Sequence, residues 1–185
     1  MYTEPKNITP YSQGIIKKYA SLRPIYISEG QFLNQYIWAD FYDTKYVQKD
    51  NYLFFLVNIH NQTAAMMPYC KQEDIESVFW EMKDYFNNEL GIPLNIHLCD
   101  QNFIETMIQS ERFIEEFTIE EDRDSFDYVY DAEKLKSLAG KDYVKKRNHL
   151  NAFLKDYDGR FEYRSLSCAN IEEIKEFHLR WLDDR

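Results

Sequence analysis

Three short apolar runs, each closed by turn chemistry, constrain this chain most. Residues 45–49, 53–59 and 63–68 are separated only by Asp50-Asn51 and by His60-Asn61-Gln62. Asn and Asp hydrogen-bond their own backbone and tolerate left-handed conformations, so both separators read as tight turns. The three runs therefore predict an antiparallel meander.

Helical periodicity flanks the meander on both sides. Thr9-Pro10 reads as a cap followed by proline in the first turn, opening a helix to about residue 21. Ser28-Glu29-Gly30-Gln31 fits a capping box, and Phe32, Leu33, Tyr36, Ile37 and Phe41 then predict a buried-face helix over 29–43. A long helix is expected over 72–90, closed by Gly91 in the left-handed conformation. A strand at 92–98 and a helix at 101–110 follow. Strands are expected at 113–120, 126–130 and 161–166, and Asp131 caps a short helix to Leu138. A basic helix spans 141–157. After Asn170, the positions Ile171, Ile174, Phe177, Trp181 and Leu182 define an amphipathic helix. That pattern is still running at Arg185, which suggests a longer chain or a partner that covers the helix. The layout is α+β, with helices packed on a mostly antiparallel sheet.

Length and composition set outer bounds. The 185 residues make one domain, or one plus part of another, and 44% apolar with 17% aromatic content excludes a disordered chain. A formal net charge of -10 argues against general nucleic-acid binding. Cys70, Cys99 and Cys168 lie far apart, which predicts reduced core thiols in a cytoplasmic protein. Neither Cys nor His recurs at metal-ligand spacing, and no cofactor is called for. The five glycines are scattered, so no glycine-rich phosphate loop or acetyl-CoA loop is present. No run is long enough to span a bilayer as a helix.

Chemistry concentrates in the basic helix. Lys141, Lys145, Lys146 and Arg147 crowd one or two turns of an acidic chain, beside Asn148 and His149. Tyr143, Leu150, Phe153, Leu154 and Tyr157 mark the apolar stripe of that helix, and Arg147 falls inside it. A buried guanidinium must be satisfied. Two readings follow. Arg147 pairs with Asp127 or Asp124 as a structural ion pair, or it lines a cleft with Asp127 and Tyr128 and grips a carboxylate or phosphate. Lys145 and Lys146 are then a solvated face, or they steer an anionic substrate.

The segment Asp127-Tyr128-Val129-Tyr130, Leu135, Leu138-x-Gly140-Lys141-x-Tyr143-x-Lys145-Lys146-Arg147-Asn148-His149-Leu150-Asn151-x-Phe153 resembles a bacterial family related to the C-terminal domain of phosphatidylglycerol lysyltransferases. Phe32-x-x-x-Tyr36-Ile37-Trp38 and Gly91-Ile92-Pro93-Leu94 agree more loosely. The resemblance implies two acetyltransferase-like (GNAT-like) halves in tandem: residues 1–158 as the first, and 159–185 as the start of an incomplete second. It implies an acyl- or aminoacyl-transferase, with aminoacyl-tRNA or another acyl donor as partner and an amine or hydroxyl as acceptor. Ligand contacts would fall on Lys141, Lys145, Lys146, Arg147, Asn148, Asp127 and Tyr128. The alternative is a non-catalytic binding or assembly module. In either case a partner, or the missing second half, would pack on the 170–185 helix.

Overall fold

The computed structural model describes residues 2–183. Asp184 and Arg185, the end of the expected 170–185 helix, lie outside the described residues. The chain divides into two compact units, Met1–Asp127 and Tyr128–Arg185.

The first unit is built on a five-stranded sheet of order β1-β2-β3-β4-β5. Its strands are β1 (Lys6–Asn7), β2 (Lys45–Gln48), β3 (Leu53–Ile59), β4 (Gln62–Met66) and β5 (Ile96–His97). The expected meander is present: β2 pairs antiparallel with β3 (Tyr46 opposite Phe55) and β3 with β4 (Val57 opposite Ala64). β5 joins β4 in parallel, as a crossover connection requires. His60 and Asn61 take positive φ in the β3–β4 turn, the backbone region that their residue types were expected to supply.

β3 is the centre of the fold. Period-two alternation sends Leu53, Phe55 and Val57 to one face and Phe54 and Leu56 to the other, and all five are buried. Covered on both faces, this strand reads in sequence as an unbroken apolar run. One face packs against Ile16 and Tyr19 of α1 (Gln13–Ala20) and Phe32 of α2 (Phe32–Ile37). The other packs against Ile75, Val78, Phe79 and Met82 of α3 (Ile75–Tyr85). Phe103 of α4 (Gln101–Met107) and Phe113 of α5 (Glu111–Glu116) join that second cluster. Each such side chain contributes about 1.5–3 kcal/mol through burial. The layout is mixed α+β with a largely antiparallel open sheet flanked by helices, consistent with a GNAT-like fold.

Helix ends follow the local chemistry in most places. Pro10 opens a 3₁₀ turn into α1, with the Thr9 N–H donating to Ser12 Oγ at 3.1 Å. Past α3 the chain widens into a π-helical turn, Phe86–Leu90, and stops at Gly91 with φ of 67°. Asp100 caps α4 by accepting the Phe103 N–H at 2.8 Å.

Some expectations fail. The strand expected over 113–120 gives way to α5 in its first part, where Phe113 is buried and stacks at 5.4 Å on Phe117, the extended residue that ends the helix. The helix expected over 29–43 shrinks to α2. Gln31, not Ser28, precedes it, and residues 28–30 form a separate 3₁₀ turn.

The second unit carries α6 (Ala132–Ser137), α7 (Val144–Asp156) and α8 (Ile171–Asp183). Asp131 caps α6 as expected, accepting the Lys134 N–H at 3.0 Å. Residues 126–130 and 161–166 form no strand, for no described partner strand supplies the ladder bonds that define one. No described side chain of this unit is fully buried.

Candidate functional site

α7 carries the expected site residues. Lys145, Lys146 and Asn148 are exposed along the helix, and Lys141 is exposed in the turn before it. The apolar stripe exists as a pattern but is not buried: Leu150, Phe153, Leu154 and Tyr157 are between 43% and 48% exposed. Phe153 nevertheless organises it, stacking on Tyr157 at 4.9 Å and meeting Phe161 at 5.0 Å.

Arg147 is half-buried, and its partners are carbonyls. Its guanidinium donates to the Leu138 carbonyl and, at 3.0 Å, to the Gly140 carbonyl. Both carbonyls lie just past α6, where the last carbonyls of a helix lack intrahelical donors and carry partial negative charge. Within its own unit Arg147 forms no ion pair with a described carboxylate, and these two carbonyls are the partners that hold it. The corner needs this clasp because its backbone is unusual. Leu138 adopts φ of 51°, which L-residues rarely do, and Gly140 adopts 95°.

Asp127, at the end of the first unit, accepts the Ser28 N–H on Oδ2 at 2.7 Å. It thereby caps the 3₁₀ turn Ser28–Gly30. Tyr128 is 89% exposed. Of the thiols, Cys70 is buried and Cys99 half-buried, but Cys168 is exposed, against the expectation of three core cysteines.

The lysines around α7 share one property. Lys134, Lys136, Lys141, Lys145 and Lys146 form no ion pair among the described residues, although the chain is rich in carboxylates. Asp142 is the single acid between Lys134 and Arg147. With so few acids in this stretch, the positive charge of the corner has little local compensation.

Two features of the first unit were missed in sequence. Arg23, flanked by Leu22 and Pro24, is fully buried and pairs with Asp100 at 2.7 Å. Its apolar neighbours were the available signal. Arg23 also lines an open groove of about 520 Å³ with Lys17, Ser21, Gly30, Gln31 and Phe32. The second feature is the outward turn of α2: Leu33, Ile37 and Phe41, expected in the core, are all more than half exposed.

A family model described as the C-terminal part of phosphatidylglycerol lysyltransferase matches residues 21–185. The chain belongs to this phosphatidylglycerol lysyltransferase C-terminal family. Members form an acyl- or aminoacyl-transferase-like group, and the sharp segment from Asp127 to Phe153 lies wholly inside the match. The chain is also similar to a solved structure, a conserved protein of unknown function from Bacteroides thetaiotaomicron. It superposes with a TM-score of 0.79 at 25% identity, over 97% of this chain and 59% of that one. An uncharacterised protein of Mycoplasmoides gallisepticum is 33% identical over 60 residues, or 32% of this chain and 20% of that protein. This chain therefore matches only part of the length of either relative. No helix among the described residues is long and apolar enough to cross a membrane.

Proposed function

We propose that this chain is the first part of a cytoplasmic acyl- or aminoacyl-transferase. It moves an aminoacyl group from aminoacyl-tRNA to an amine or hydroxyl acceptor. The observation that carries the reading is the set of unpaired lysines at the α6–α7 corner, within the family segment of an otherwise acidic chain. In this mechanism the acceptor attacks the activated ester directly and no covalent enzyme intermediate forms. Lys141, Lys145 and Lys146 orient the phosphate-bearing donor beside Asn148. Catalysis then rests on positioning and on stabilising the developing oxyanion. Arg147 holds the corner in shape, and Asp127 and Tyr128 stand where the chain leaves the first unit.

The reading includes a tandem arrangement, with residues 1–158 as one GNAT-like half and 159–185 opening a second. The exposed apolar positions Ile171, Ile174 and Phe177 of α8 support it, because a longer fold would cover them. The larger size of the Bacteroides structure points the same way.

A second reading is a binding or assembly module without catalysis. It is favoured by the scattered glycines, which leave no loop for a CoA pyrophosphate.

A thermal-shift screen separates the two. The probes are an aminoacylated acceptor minihelix, the same minihelix uncharged, and acetyl-CoA. A ligand at 100 to 1,000 times its dissociation constant raises stability by about 2.7–4.1 kcal/mol. Transfer requires a shift with the charged minihelix and formation of an aminoacylated acceptor. A shift with acetyl-CoA alone, or none with either minihelix, overturns the reading.

A further inference from the structure

Residues 161–166 have the make-up of a strand and no strand to pair with. Phe161 and Tyr163 alternate with Glu162 and Arg164, and the segment runs without helix or turn. Its two faces lie toward helices of the same unit. Phe161 meets Phe153 of α7 at 5.0 Å. On the other face Glu162, Arg164 and Leu166 border an open groove of about 660 Å³ with Ile174 and Phe177 of α8. A strand flanked by helices keeps its backbone donors and acceptors at its edges. From Phe161 to Leu166 none of these groups has a backbone partner among the described residues. Such an edge is a template for another strand.

The side chains decide which strand fits. Glu162 and Arg164 stand symmetrically about Tyr163. When two copies of the segment pair antiparallel about Tyr163, Glu162 of each copy lies opposite Arg164 of the other. Tyr163 then lies opposite Tyr163, an aromatic cross-strand pair. Moving the centre to Glu162 sets that carboxylate against itself, and moving it to Arg164 does the same with two guanidinium groups. A parallel pair in register does both. Like charges directly opposite destabilise a sheet. The charge pattern therefore selects one register, and it is the self-complementary one that a twofold dimer requires.

Glu162 and Arg164 also meet along their own strand at 2.8 Å, but both side chains are more than half exposed, so that contact contributes little. In the paired register the four charges alternate, and each carboxylate gains a second guanidinium. Net charge does not oppose the approach of two such units, because acidic and basic residues nearly balance over 128–185.

We propose that two copies of this chain associate through an antiparallel pairing of residues 161–166 centred on Tyr163. A strand has two edges, so the pairing leaves one edge for the tandem half proposed above. The proposal does not depend on the transfer reaction, and its test measures no turnover.

The test is analytical ultracentrifugation of the whole chain over a range of concentrations. A pairing of this size is small, so the dissociation constant should fall at about 10–100 μM. Glu162→Arg and Arg164→Glu should each weaken dimerisation by about tenfold or more, since each sets like charges opposite. An equimolar mixture of the two variants should recover it, because one then presents two guanidinium groups and the other two carboxylates. The contact along the strand is lost in both variants, so it cannot produce that recovery. Both substitutions in one chain should also associate like wild type. Amide exchange at residues 161–166 should slow as the concentration rises. The side chains changed are exposed, and unchanged melting temperatures would confirm that the variants fold. A wild-type chain that stays monomeric up to about 500 μM overturns the proposal. So does dimerisation that both single variants retain, or that their mixture fails to recover.

Discussion

Arg23 and Asp100 form a buried ion pair that ties the loop after α1 to the first turn of α4. Asp100 divides its two oxygens, Oδ2 to the Arg23 guanidinium at 2.7 Å and Oδ1 to the Phe103 N–H at 2.8 Å. The guanidinium also donates to the Pro24 carbonyl and to the Met67 thioether sulfur. One carboxylate thus neutralises a buried charge and caps a helix. Replacing it with a neutral side chain of similar shape separates the two roles.

Asp100→Ala should cost about 3–5 kcal/mol, since it strands a buried guanidinium and uncaps α4. Asp100→Asn keeps the cap and loses the charge, so it should cost less. Arg23→Met with Asp100→Asn should recover part of the loss, because neither charge is then buried alone. Urea unfolding of the four proteins decides it, and equal stability of Asp100→Ala and wild type would refute the account.

Arg147→Ala should loosen the α6–α7 corner without touching the sheet. It leaves two carbonyls without their donor, a cost of about 1–3 kcal/mol if they stay shielded from water. Amide exchange should therefore quicken in α6 and α7 and stay unchanged in β3. Lys145→Ala and Lys146→Ala, by contrast, should leave exchange alone.

Acid should weaken the clasp that Tyr2 and the β2–β3 turn make with α3. Tyr2 donates to the Glu81 carbonyl at 2.8 Å, Tyr52 donates to Glu81 Oε2 at 2.8 Å, and Lys49 pairs with the same oxygen. Burial opposes the Glu81 charge, but hydrogen bonds from Lys49 and Tyr52 outweigh it and hold the pKa below the ordinary 4.5. A depressed carboxylate stabilises the fold above its unfolded pKa. That contribution fades as pH falls through about 4.5 and is gone below the folded value. Glu81→Gln should remove this part of the pH dependence in thermal melts taken between neutral and acid pH. An unchanged acid limb would show that the clasp contributes nothing.

Alkylation at neutral pH should distinguish the three thiols. Burial pushes the Cys70 and Cys99 thiols up to about 12, and Cys168 is exposed. Iodoacetamide should modify Cys168 first, with the other two reacting only after unfolding. Mass spectrometry of the native protein checks this, and early modification of Cys70 would contradict the burial.

Gly30 is packed too tightly for a side chain. A Cβ there would lie 2.6 Å from Ile25 Cγ2, so Gly30→Ala should cost about 1–3 kcal/mol. A melting temperature equal to wild type would show that Ile25 moves aside freely.

The sequence by itself determined what depends on near neighbours. Asn and Asp at the turns, the apolar runs of β2 to β4, Asp131 before α6 and Gly91 after the long helix act within a few residues, so their consequences are local. The basic run and the family segment were legible for the same reason. Tertiary structure decided what depends on partners far along the chain. Phe113 packs with Phe79 at 5.2 Å, which favours helix where a strand was expected. Arg23 finds its carboxylate 77 residues away. Leu33 and Ile37 share a face of α2, but the fold buries Phe32 and Gln35 instead. Arg147 finds backbone carbonyls where a carboxylate was expected, because the α6 terminus offers unpaired acceptors that residue type alone does not reveal. Periodicity marks an apolar face, but only the packed elements decide whether that face looks inward.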